Sequence, residues 1–98
     1  MENINKYSNP KKVNKIARKL LGKDVKILLS TRKNKKYMVL DPKTNKFVHF
    51  GSLPFEDYTK HNDLFRLQSY LARNWKWALY PEYSPAWLSY YLLWNMEF

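Results

Sequence analysis

Between Phe47 and Asp63 the chain reads FVHFGSLPFEDYTKHND. This stretch holds both histidines, His49 and His61, and three of the eight acidic side chains, Glu56, Asp57 and Asp63. Two imidazoles and three carboxylates are the donor types of a zinc site or an acid–base pair. Their spacing argues against both. His49 and His61 are twelve positions apart across a proline-containing loop, without the H-x-x-x-H or H-E-x-x-H spacing that brings two ring nitrogens to one ion. His61 beside Asp57 or Asp63 would make an oriented imidazole, but no serine or cysteine stands in a nucleophile motif and no glycine-rich loop cradles phosphate. A histidine–carboxylate metalloenzyme is therefore the weakest reading, and neither a metal nor another cofactor is expected. The preferred reading is structural. His49, Gly51, Asp57, Thr59, His61 and Asp63 would fix a bend, their side chains bonding to neighbouring carboxylates and backbone groups.

The elements that must hold this bend are legible from spacing. Asn9-Pro10 supplies an N-cap and a first-turn proline. Val13, Ile16, Ala17, Leu20 and Leu21 follow at helical intervals before Gly22, and the opposite face carries Lys11, Lys12, Lys15, Arg18 and Lys19. VKILLS (25–30), KYMVL (36–40) and KFVHF (46–50) are rich in β-formers and are separated by the turn sequences TRKNK and DPKTN, which predicts a three-stranded antiparallel meander. In the third strand Phe47 and His49 share one face, and Val48 and Phe50 the other. SLPFEDYTK reads as a loop. Asn62 and Asp63 open a second helix to about Arg73, NWKWALYPEY reads as a packed loop, and Ser84-Pro85 opens a third helix over AWLSYYLLW. The expected fold class is α+β: an N-terminal helix, the meander and two C-terminal helices.

A chain of 98 residues is expected to form one domain that buries about 60–65% of its unfolded surface, with a stability of about 5–10 kcal/mol. It has no cysteine, so neither disulfides nor thiolate zinc sites support it. MENINKYSNPKK lacks the apolar core of a secretory signal, and AWLSYYLLW is too short to span a bilayer. No membrane span is expected. Charge is sharply divided: residues 1–46 carry fourteen Lys/Arg against three acidic residues, and residues 47–98 carry four against five. Aromatics run the other way, with fifteen of seventeen in the second half. The basic half suits an acidic partner, and the aromatic half suits packing against itself or a neighbour.

The basic contacts would come from the helix face named above and from Arg32, Lys33, Lys35 and Lys36, placed by the meander on an exposed hairpin tip. These nine cations suit phosphates, through counterion release, or an acidic protein surface. Sequence-specific recognition is not expected, because helix-turn-helix, zinc-finger and RNA-recognition patterns are missing. The last helix is apolar or aromatic nearly all round, so Trp87, Tyr90, Tyr91 and Trp94 are the candidate protein interface.

KKYMVL (35–40), VHFG (48–51), EDYTKHND (56–63), YLAR (70–73) and SPAWLSYYLLW (84–94) resemble segments of a family of small basic proteins encoded by large double-stranded DNA viruses and some bacteriophages. The likeness spans roughly residues 36–94 and carries no enzymatic activity with it. It implies a viral origin and a virion-associated role, with the host cytoplasm or nucleus as the location before assembly. One departure stands out. Relatives follow the bend with a strongly basic helix, whereas DLFRLQSYLAR here has only Arg66 and Arg73. The resulting expectation is a minor capsid or capsid-associated protein. Its aromatic half would bridge to other virion proteins and its basic half to an acidic partner or the genome. The alternative is non-specific binding of double-stranded DNA in genome handling.

Overall fold

The computed structural model describes residues 3–95 and is α+β, with an N-terminal helix, a three-stranded antiparallel sheet and C-terminal helices. Helix α1 runs Pro10–Leu21. The Asn9 side chain accepts from the Lys12 N–H at 3.3 Å, and Pro10 sits in the first turn, where its missing N–H costs nothing. Val13, Ile16 and Ala17 are buried, while Leu20, expected in the same stripe, is exposed. Lys11, Lys15, Arg18 and Lys19 lie exposed on the other side.

The first strand is shorter than its β-branched sequence predicts. Only Leu28–Leu29 (β1) pair with the next strand. The cause is Asn14 of α1, whose amide donates to the Ile27 carbonyl at 3.4 Å and accepts the Ile27 N–H at 3.0 Å. This engages the backbone of Ile27 with the helix and withdraws it from the ladder. Strands β2 (Lys35–Asp41) and β3 (Lys46–Ser52) pair in full, with Tyr37 opposite Phe50 and Val39 opposite Val48. Their turn closes with the Asn45 N–H on the Asp41 carbonyl at 2.8 Å and the Lys43 N–H on the Asp41 carboxylate at 2.9 Å. Asn45 takes the left-handed conformation that asparagine tolerates (φ 59°). Because side chains alternate, Tyr37, Val39 and Phe50 face the core with α1. Leu28, Leu40 and Phe47 stand exposed on the opposite face, beside Met38 and His49.

The segment expected as a loop contains a single helical turn, α2 (Tyr58–His61), ended by Asn62 in the left-handed region. Asp63 then caps α3 (Leu64–Arg73), accepting the Phe65 and Arg66 N–H groups at 3.0 and 3.2 Å. The stretch expected as a packed loop forms a 3-10 turn over Trp75–Leu79 and leaves Trp75, Leu79 and Tyr80 exposed. The last helix opens as α4 (Pro85–Leu88), with Ser84 accepting the Trp87 N–H at 3.2 Å, and continues as a π-helical turn over Ser89–Leu93. The wider i→i+5 turn brings Leu93 round to the side of Leu88 and Leu92, and all three are buried in the core. Among the described residues no helix is long and apolar enough to cross a membrane.

Candidate functional site

Lys36 departs most from the sequence reading. Expected on an exposed hairpin tip, it is 3% exposed, and its ammonium lies 3.0 Å from the Asp57 carboxylate, itself fully buried. Lys36 is therefore not an available phosphate or acidic-partner contact. An unpaired lysine could not stay charged in such a place, so the partner carboxylate comes with the burial. Burial pulls the Lys36 ammonium below the usual lysine range, and the adjacent Asp57 opposes that shift. Gly51 makes room for the pair. Its φ of +81° is one that side chains rarely adopt, and a Cβ there would lie 3.1 Å from the Lys36 Cβ and 3.0 Å from a Leu93 methyl.

Asp57 also ends a chain of buried hydroxyls. The Tyr37 hydroxyl donates to Ser8 Oγ at 2.6 Å, Ser8 lies 3.1 Å from Thr59 Oγ1, and Thr59 donates to the second Asp57 oxygen. Since the Thr59 hydrogen goes to Asp57, Ser8 must be the donor to Thr59, so every link points toward the carboxylate. The Asn9 N–H donates to Thr59 Oγ1 at 3.0 Å and the Asp57 N–H to the Tyr7 carbonyl at 3.0 Å, which ties the N-terminal segment to the bend. Burial and the Ser8 bond act oppositely on the Tyr37 phenol, and burial, the larger, raises its pKa. Each hydroxyl hydrogen in the chain already has an acceptor, so the arrangement fixes geometry between Ser8, β2 and α2.

The two histidines lie in different surroundings. His49 Nδ1 is 2.7 Å from Ser30 Oγ, which also accepts the Arg32 N–H. His61 Nδ1 accepts the Asp63 N–H at 2.9 Å, which leaves the proton on Nε2, buried without a hydrogen-bond partner. Its ring centroid lies 5.2 Å from that of Trp94. Among the described residues no group of three or more His, Cys, Asp or Glu could hold a metal ion. Desolvation, with neighbouring arginine charge, lowers both imidazoles from their ordinary value near 6.5. The unfolded chain then binds more protons below 6.5, so stability is greatest above that pH and falls as pH drops through the window beneath it. Urea midpoints measured between pH 7.5 and 5.5 should decline, and the His49→Gln/His61→Gln double variant should flatten that decline; an unchanged slope would contradict this assignment.

The aromatic residues expected at an interface are partly occupied within the chain. Trp94 stacks on Tyr70, with centroids 4.1 Å apart and planes 6° from parallel, and Trp87 and Tyr90 both pack against Tyr91. All four expected interface residues are half-buried. Phe65, at 83% exposure, and Phe55, at 68%, are barer than any of them. These two rings border a cleft of about 800 Å³ between the end of the β2–β3 hairpin, α3 and the last helix, floored by buried Phe50 and Leu93. Lys35, Arg66 and Arg73 line it as well, with Glu56 3.7 Å from Arg66. The sequence reading passed over this cleft, yet one signal was available. Phe65, Arg66, Ser69, Tyr70 and Arg73 recur at helical spacing and form one stripe of α3.

No curated protein and no solved structure matches the chain. Residues 25–74 match a family described as a family of unknown function, DUF5754. That span contains the sheet, the Lys36–Asp57 pair, the bend and α3, and ends before the 3-10 turn and α4. Over half of its length the sequence fits this one pattern, and the chain belongs to the DUF5754 family of unknown function.

Proposed function

We propose that this chain is a non-enzymatic structural component of a virus particle, a minor capsid or capsid-associated protein joining a neighbouring shell protein to an acidic partner. The observation that carries the reading is the division of its surface. Exposed cations lie on α1 (Lys11, Lys15, Arg18, Lys19) and at the hairpin tip (Arg32, Lys33), while the large exposed rings among the described residues all lie in the second half (Phe47, Phe55, Phe65, Trp75, Tyr80). Two surfaces of different chemistry on one small body suit an adaptor. The interior polar network supports the same reading, because its hydroxyls are spent on one another. The likeness of VHFG, EDYTKHND and SPAWLSYYLLW to proteins of large double-stranded DNA viruses supports the placement in a particle.

Replacing Lys11, Lys15, Arg18 and Lys19 by glutamine tests it. Glutamine is a good helix former and these side chains are exposed, so the cost in stability should stay within about 1 kcal/mol, mostly from the two cations in the last turn. Incorporation into particles, measured by quantitative mass spectrometry, should fall at least severalfold. Normal incorporation of a folded variant would remove the basic face from the proposal.

A further inference from the structure

We infer that the cleft between the β2–β3 hairpin, α3 and the last helix binds single-stranded nucleic acid, unpaired bases stacking on its exposed rings and phosphates meeting its cations. This goes beyond the adaptor reading and does not rest on it. Phe55 and Phe65 are far more exposed than buried rings of a small core need to be, and both border the same cavity. Lys35, Arg66 and Arg73 line that cavity against one carboxylate, Glu56, while the Lys36 charge is already met by Asp57. Flat apolar faces interleaved with cations match the base–phosphate alternation of an unpaired strand, and stacking on them is tolerant of sequence. A cavity of about 800 Å³ is of the size that takes small organic groups such as nucleotides, and it cannot admit a duplex. An acidic peptide shares the charge, but base faces make fuller use of two bare phenylalanine rings.

The test is fluorescence anisotropy of a dye-labelled short oligothymidylate with the full chain at low and moderate salt. Phe65→Ala should weaken binding about tenfold, as expected for the loss of one stacking platform, with the thermal midpoint unchanged because the ring is exposed. Arg73→Gln should weaken binding and make its salt dependence shallower. Phe47→Ala and Lys43→Gln are the controls. The first removes a ring outside the cleft, and the second a charge at the opposite end of the hairpin, about 20 Å away along the strands. Both should bind within about twofold of the parent. Equal losses in all four variants, or none in Phe65→Ala, would overturn the inference. So would an acidic, tryptophan-containing peptide that binds more tightly than the oligonucleotide with the same dependence on Phe65, which would assign the cleft to a protein segment.

Discussion

Asp57→Ala is expected to destabilise the chain by about 3–5 kcal/mol, because it leaves the Lys36 ammonium buried without its counter-charge. The same change removes the acceptor of Thr59, so the hydroxyl chain from Tyr37 loses its terminus. For a domain of this length, expected to be stable by about 5–10 kcal/mol, a loss of this size removes about a third or more of the total. Replacing Lys36 as well, in a Lys36→Met/Asp57→Ala variant, should recover part of the loss, since the stranded charge is then gone and the methionine stem fills much of its space. Urea titration followed by tryptophan fluorescence gives both values. A single-variant loss below about 1 kcal/mol would mean that water reaches the pair, and the buried-network account would fail.

Gly51→Ala is expected to cost about 2–4 kcal/mol, and Gly22→Ala less. Both glycines have positive φ, at +81° and +116°, so an alanine is strained at either place by about 1–3 kcal/mol. Only Gly51 has neighbours. Its new methyl would meet Lys36 and Leu93 at 3.0–3.2 Å, whereas nothing lies within 4 Å of the one at Gly22. The difference between the two variants, about 1–3 kcal/mol, measures the overpacking where the lysine stem passes beneath the last helix. Equal losses would show that backbone conformation alone requires Gly51.

What was legible in the sequence depended on local chemistry. The cap at Asn9, the proline after it and the spacing of Val13, Ile16 and Ala17 define α1 without outside help, and DPKTN defines the second hairpin turn. The first strand was overestimated because VKILLS has the right residues for pairing, and nothing local reveals that Asn14, thirteen positions earlier, engages the backbone of Ile27. Lys36 was misplaced for the same kind of reason. A lysine in RKNKK reads as surface, and its burial requires a carboxylate twenty-one positions away, brought in by the bend. Alternation points the other way, since it groups Lys36 with Met38 and the exposed Leu40 on the face opposite the core; the local sign of room for the stem is the register, which extends to set Lys36 opposite Gly51, the one cross-strand neighbour without a side chain. The cleft joins the hairpin, α3 and the last helix, so its cations and rings lie far apart in the chain and only the stripe along α3 was visible.

The adaptor account is tested most directly by quantifying this chain in purified virus particles before and after genome release, by mass spectrometry normalised to the major shell protein. The account predicts a fixed ratio to the shell protein that persists once the genome has left, because the chain is held by protein contacts through its exposed rings and cationic helix. Absence from the particles, or loss in step with the genome, would contradict it.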